Sequence, residues 1–153
     1  MNLWTNALLT FLVAMVPVLE LRFAIPFGVA RGLGLRVSIV VATLGNLVPV
    51  PFIIVFIRRI FSWLRRRHSR FDGIVTSLEN RAREKRSIVE KYAFWGLVLL
   101  VAIPLPGTGA WTGALVAAMM NMRLRRAMPA IALGVVIAGV VVSSIIYGAR
   151  MVF

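Results

Sequence analysis

Two apolar stretches in this chain, residues 3–30 and 93–120, are each interrupted midway by proline, glycine and polar residues, and each is followed by an unbroken apolar run. The first interruption reads Pro17-Val-Leu-Glu20-Leu-Arg22-Phe-Ala-Ile-Pro26-Phe-Gly28. The second reads Pro104-Leu-Pro106-Gly107-Thr108-Gly109-Ala-Trp111-Thr112-Gly113. Backbone that leaves a helix at membrane depth bares N–H and C=O groups that lipid cannot satisfy, so it persists only where protein or a watery cavity surrounds it. Breaks in corresponding positions of two halves point to a binding region between them. The pattern predicts two helical hairpins whose tips form the functional site.

Composition supports lipid as the solvent. With 60% hydrophobic residues and a mean hydropathy of +0.90, the chain of 153 residues carries more apolar side chain than one small globule could bury. The formal charge of +13 falls almost wholly between the apolar segments. Topology determinants are distributed in that way, and a nucleic-acid face is not. Membrane lipids are therefore expected as partners, and nucleic acid is not. The absence of cysteine excludes disulfides, thiolate metal sites and cysteine nucleophiles. Met-Asn-Leu-Trp-Thr-Asn lacks the basic region of a secretory signal and no small-residue cleavage site follows, so the first apolar run is expected to be retained.

Residues 37–57 and 130–149 each approach the ~20 residues that cross a ~30 Å hydrocarbon core. If the hairpins also crossed fully, twelve basic residues would lie on one side and five on the other. If each hairpin instead returns to its own face, residues 58–92 and 123–126 share a side, with fourteen against three. The positive-inside rule favours the second arrangement, with the connector cytoplasmic and the termini outside. The expected fold is thus all-α and integral to the membrane. It consists of two inverted repeats, each a re-entrant hairpin plus one transmembrane helix, in a single domain. Residues 1–57 form the first half, 58–92 an amphipathic cytoplasmic connector and 93–153 the second half. Echoes between the halves accompany it: Val16-Pro17 beside Ile103-Pro104, and Arg36 beside Arg123. The competing architecture is a kinked four-helix membrane bundle. Two spans and two half-spans enclose little volume, so a homodimer or higher homo-oligomer is expected.

Ionisable residues inside the apolar segments are few. Glu20 is the one acid and Arg22 the one base. Each costs on the order of 3 kcal/mol or more at that depth unless paired or hydrated. One reading makes them an ion pair that stiffens the tip, which needs extended backbone because residues two apart diverge on a helix. Another makes Glu20 a protonatable coupling group and Arg22 an anion anchor. The returning limbs are expected to begin near Pro26, suited to a first helical position, and near Thr108, suited to an N-cap. Both helix N-termini would then offer N–H groups to an anion at the midplane. Substrate-binding candidates are therefore Arg22, Pro26, Gly28, Pro104, Gly107, Thr108, Gly109, Trp111 and Thr112, with Gly113 either permitting close approach or packing helices. Asn46, Pro49 and Pro51 predict a polar contact and a kink in the first span, whereas Ser143 and Ser144 read as helix-packing residues. No catalytic or metal-binding cluster and no cofactor site is evident.

Phe61, Leu64, His68, Phe71, Val75, Leu78, Ala82, Val89 and Tyr92 recur at helical spacing in the connector. Asp72-Gly73 is an expected break, and Thr76 with Glu79 has capping-box spacing. Eleven basic against four acidic residues suit an anionic leaflet, and a coiled-coil contact between protomers would use the same stripe. His68, the sole histidine, reads as structural; no nucleophile accompanies it and Asp72.

The run Pro104-Leu-Pro-Gly-Thr-Gly-Ala-Trp-Thr-Gly-Ala-Leu, with Glu20-Leu-Arg-Phe-Ala-Ile-Pro-Phe-Gly28, resembles the small multidrug export proteins of prokaryotes over nearly the whole chain. That family is in turn distantly similar to the DedA membrane proteins. The DedA likeness implies facing re-entrant hairpins in the cytoplasmic membrane and proton-coupled transport of polyprenyl-phosphate or related phospholipid carriers. By it Glu20 matches the acid of the first hairpin and Pro104 the proline of the second. DedA-type second hairpins carry an arginine near that proline; this chain has none there, so Arg22 would supply the charge. The expected function is a transporter or flippase for an amphipathic, anionic, lipid-phosphate-like substrate. Efflux of amphipathic cations, or a structural role without transport, are the alternatives.

Overall fold

The computed structural model describes residues 2–67, 86–104 and 108–152, and every regular element among them is an α-helix. His68, Asp72-Gly73, Thr76 and Glu79 of the connector, and Gly107 of the second tip, lie outside the described residues. The elements are α1 (Leu3–Met15), α2 (Glu20–Ala30), α3 (Leu35–Leu47), α4 (Pro49–Arg67), α5 (Arg86–Ala102), α6 (Ala110–Met119) and α7 (Leu124–Val152).

Length separates these helices into two classes. At 1.5 Å per residue, α1, α2 and α6, with 13, 11 and 10 residues, reach only about 15–20 Å, short of a hydrocarbon core; α5 has 17 residues, of which Tyr92–Ala102 is the apolar part. Leu35–Ile60, which takes in α3 and most of α4, and Leu124–Gly148 of α7 have 26 and 25 residues and are long enough. Only 39% of an apolar 18-residue window in each is buried, so most of that window faces outward, unlike the core helix of a soluble protein. Where a kink is expected around Asn46, Pro49 and Pro51, α3 ends at Leu47 and α4 begins on Pro49, while Val48 between them keeps αR backbone. Two prolines in a first helical turn lack N–H groups that would have been orphaned there anyway.

Large side chains lie outside and small ones inside. Trp4, Phe52, Phe56, Trp95, Leu99 and Ile145 are exposed, while Ala14, Ala24, Ala42, Ala110, Ala114, Ala117, Ala127 and Ala130 are buried. Lipid is as apolar as leucine, so helices gain by close backbone approach, which small residues permit. Within each half the short helices pack on each other and on the long one: α1, α2 and α3 together, and α5, α6 and α7 together. Between halves, α2 meets α7, α6 meets α4, and α3 meets α7.

The turns after the two returning limbs have the same hydrogen bonds. Arg31, Gly32 and Leu33 donate N–H to the carbonyls of Phe27, Val29 and Gly28; Met120, Asn121 and Met122 donate to those of Val116, Ala118 and Ala117. Gly32 and Asn121, the equivalent residues, both take positive φ, at 85° and 54°. Asn6 Nδ2 donates to the Arg31 carbonyl at 2.8 Å, tying the start of α1 to the first turn. The Arg58 guanidinium donates to the Met122 carbonyl, tying the far end of the first long helix to the second turn.

Two glycines seat the long helices on the outgoing limbs. A Cβ on Gly45 would strike the Phe11 carbonyl oxygen, and one on Gly134 would lie 2.9 Å from the Val98 oxygen and 2.6 Å from Val101 Cβ. Backbone atoms cannot step aside as a flexible side chain can. Gly45→Ala and Gly134→Ala should each destabilise the protein by about 1–3 kcal/mol. Gly96→Ala, which meets nothing within 4 Å, should not. Thermal unfolding in detergent micelles measures all three, and equal midpoints would contradict the packing.

Candidate functional site

The first tip is a tight turn made at a conformational cost. α1 ends at Met15, and Val18 and Glu20 then adopt φ of 79° and 47°. That region disfavours L-residues, above all β-branched ones, by about 1–3 kcal/mol each. The Glu20 N–H still reaches the Val16 carbonyl at 3.1 Å, so α2 starts at once, with Glu20 as its first residue. The returning limb therefore begins six residues before Pro26. Pro26 lies inside α2 on its exposed side, and the expectation that it opens the helix is corrected.

Glu20 is 5% exposed and turned toward the second hairpin. Its Oε1 accepts the Trp111 N–H at 3.2 Å, and the Ala110 amide lies beside the same carboxylate. These are the first residues of α6. Gly109, the N-cap of α6, offers no side-chain cap, so a carboxylate from the other hairpin does the capping. A Cβ on Gly109 would overlap that carboxylate, and its φ of 157° is one that side chains rarely adopt. Thr108 is thus not the N-cap, contrary to expectation. Its hydroxyl turns back to donate to the Ile103 carbonyl at 2.6 Å.

Arg22 spans the other side of the same tip. Its guanidinium donates to the Ile103 carbonyl at 3.1 Å, to Thr108 Oγ1 at 2.9 Å and to the Thr108 carbonyl. Ile103 directly follows α5, so a cation meets carbonyls at a helix C-terminus while an anion meets amides at a helix N-terminus. Spacing of two residues fits this because the ends of α5 and α6 lie side by side with opposite dipole signs. Glu20 and Arg22 interact electrostatically, but the backbone between them is helical and each reaches the second hairpin by its own route. The expectation of extended backbone between the two is corrected accordingly. So is the expectation of open N–H groups at the tips, since the Trp111 amide is taken by Glu20.

Trp111 completes the junction by donating its indole Nε1–H to the Met15 carbonyl at 3.1 Å, at the end of α1. The structure thus brings together Glu20, Arg22, Thr108, Gly109 and Trp111, with Pro104 next to Ile103 and Thr112 half-buried in the first turn of α6. Gly28 stands apart, eight residues along α2, where a Cβ would lie 2.7 Å from Ser38 Oγ. Gly113 packs against Val101 and Ile131. Ser143 and Ser144 bond back to Gly139 and Val140 within α7. The backbone acceptors Met15 and Ile103 went unnoticed in the sequence because any residue type can supply a carbonyl. Buried Asn6, Thr10 and Ser38 were also missed, although polar residues inside apolar helices are themselves the signal.

If Glu20 rests on Gly109, the two positions are coupled. Gly109→Ala alone should destabilise by about 2–3 kcal/mol through displaced carboxylate and orphaned amides. In a Glu20→Ala background the same change should cost at least 1 kcal/mol less. Additive costs in a double-mutant cycle of unfolding would show that the two do not touch.

The model of one protein family, described as the putative small multi-drug export protein family, matches residues 20–141. Comparison with curated proteins and with solved structures gives no match. The matched segment opens on Glu20 and runs through both tips to the body of α7. With two apolar helices long enough to cross a bilayer, the chain is a membrane protein, and it belongs to the family of putative small multi-drug export proteins.

Proposed function

We propose that the protein is a proton-coupled transporter of an amphipathic, anionic, lipid-phosphate-like substrate in the cytoplasmic membrane of a prokaryote, with the junction of the two tips as its site. The observation that carries this is the clasp itself: one carboxylate on the amides of α6 and one guanidinium on the carbonyls at the end of α5. The hairpins are read as re-entrant and the halves as inverted repeats. Three observations support that arrangement: the short limbs, the identical turns after α2 and α6, and the Arg58–Met122 contact. The last ties the second turn to the far end of a span that starts at the first turn. Matching the turns also makes Glu20 the counterpart of Gly109, and equivalent residues that touch are what a two-fold relation creates at its axis.

In this reading Glu20 holds the place of a substrate anion. Ionised, it neutralises the α6 N-terminus. Once protonated it binds those amides weakly, and an incoming phosphate or carboxylate head group takes them together with Arg22. Proton and anion then bind in the same state and move in the same direction. The export in the family's name favours a second reading, in which an amphipathic cation displaces the proton from Glu20 and leaves in exchange for it.

The sign of the coupling separates the two in proteoliposomes with an imposed pH difference. An anion co-bound with the proton accumulates on the alkaline side, whereas an exchanged cation accumulates on the acidic side. Glu20→Gln should remove the gradient dependence, because the amide keeps a polar contact but cannot titrate. Arg22→Ala should weaken binding of a prenyl phosphate about tenfold at every pH, because the charge it removes is permanent. Gradient dependence unchanged in Glu20→Gln would make the carboxylate structural. Topology is checked with single cysteines at Ala30 and Asn121, both exposed beside the turns. The first should label from outside and the second from inside, and cytoplasmic labelling at Ala30 would refute the re-entrant arrangement.

A further inference from the structure

The first half contains polar side chains that the clasp does not use. Asn6, Thr10, Ser38 and Asn46 are at most 6% exposed, and the last three are wholly buried. Asn6 Oδ1, Ser38 Oγ and both amide atoms of Asn46 have no hydrogen-bond partner in the protein. Leaving a buried polar atom unmet costs about 1–3 kcal/mol, so four such atoms in one small bundle call for a reason.

Their positions form a row. Asn6 is bonded to the Arg31 carbonyl at the first turn, and Thr10 follows one helical turn further along α1, bonded back to the Asn6 carbonyl at 2.8 Å. Thr10 Oγ1 and Ser38 Oγ flank a single point beside Gly28, lying 3.0 and 2.7 Å from where its Cβ would stand. Because α2 and α3 are antiparallel and Gly28 faces Ser38, eight residues along each helix bring Glu20 and Asn46 to the same depth, about 12 Å further in. Only Ala42 separates Ser38 from Asn46 on the buried face of α3.

At the matched positions of the second half the described residues are apolar. Matching Gly32 with Asn121 and Gly45 with Gly134 makes Ala127 the counterpart of Ser38, Val135 that of Asn46 and Ala117 that of Gly28; all three are wholly buried. An apolar filling therefore packs well in the same framework, and the polar row is a property of one half.

We infer that Asn6, Thr10, Ser38 and Asn46 form a hydration route through which Glu20 exchanges its proton with the aqueous face at Arg31. The inference rests on the proposed coupling role of Glu20. Waters that enter along this row would find the two to four polar partners they need in the hydroxyls of Thr10 and Ser38 and the amides of Asn6 and Asn46. Gly28, lacking a Cβ, lets the two hydroxyls approach α2 and each other closely. Of the elements meeting α2 at this depth, α1 and α6 contain no titratable side chain. Arg36 of α3 and Arg125, Arg126, Tyr147 and Arg150 of α7 lie near helix ends in the sequence, so Arg22 is the charged neighbour of Glu20.

A cysteine-free chain permits a direct test. Single cysteines at Ser38 and Asn46, and at their counterparts Ala127 and Val135, are treated with methyl methanethiosulfonate in proteoliposomes and read by mass spectrometry. Thiols react as thiolates, which need water. Modification at Ser38 and Asn46 should be at least tenfold faster than at Ala127 and Val135, and equal rates would overturn the route. A second arm follows the Glu20 carboxyl band by infrared spectroscopy after a pH step, identified by its loss in Glu20→Gln. In Ser38→Ala/Asn46→Val, substitutions already tolerated at the matched positions, protonation should slow at least tenfold, and an unchanged rate would also overturn the route. If the cysteines react as expected and protonation slows, yet transport ignores the pH gradient, the route stands and the coupling falls.

Discussion

Helix ends at the two tips set the terms for this fold. Each tip leaves carbonyls at the end of one limb and amides at the start of the next, and apolar surroundings can satisfy neither. The second tip, between Ala102 and Ala110, has this problem in full, since its N-cap is a glycine. The first tip answers it from outside, with Arg22 on the carbonyls and Glu20 on the amides. Two ionised side chains that would each be costly in lipid become partners for two dipole ends that would be equally costly alone. Because the contacts run between hairpins, they also hold the halves of the molecule together at their centre.

Close packing makes that contact reachable. Side chains at Gly45 and Gly134 would push the long helices off α1 and α5, and one at Gly109 would displace the Glu20 carboxylate. Alanine lines much of the rest of the core. A bundle built on larger residues would hold the limbs further apart, beyond the reach of a carboxylate carried so near its own backbone. The positive φ at Val18 and Glu20 belongs to the same geometry: the chain turns within four residues so that α2 starts on the acid.

Much of the architecture was legible in the sequence because it depends on local pattern. The apolar runs at 37–57 and 130–149 fall within the long helical stretches of the structure, and the prolines at 49 and 51 mark the point where α3 gives way to α4. Glu20, Arg22 and Trp111 stood out as polar or amphipathic residues beside a break. What failed were the helix starts. Pro26 suits a first turn, but here it is tolerated on the exposed side of a helix already under way, and Thr108 suits an N-cap, but its hydroxyl is drawn to Ile103. Both misreadings come from applying local capping rules where a contact made across 91 residues decides the outcome. That contact has no local signature, because half of it is backbone.

The division of roles between the tips follows from their facing one another. Two charged tips would set Glu20 against a second acid and Arg22 against a second base at short range, in a medium that screens neither. Two glycine tips would leave both pairs of helix ends unmet. One tip that bears charge and one that presents bare backbone is the combination in which both charges meet helix ends of opposite sign. It also leaves the pair of charges on a single element, α2, so a proton arriving at Glu20 changes the balance on one side of the junction while Arg22 still holds the other. The two charges thus sit on one helix, while the backbone they meet belongs to two different helix ends, the carbonyls after α5 and the amides that open α6.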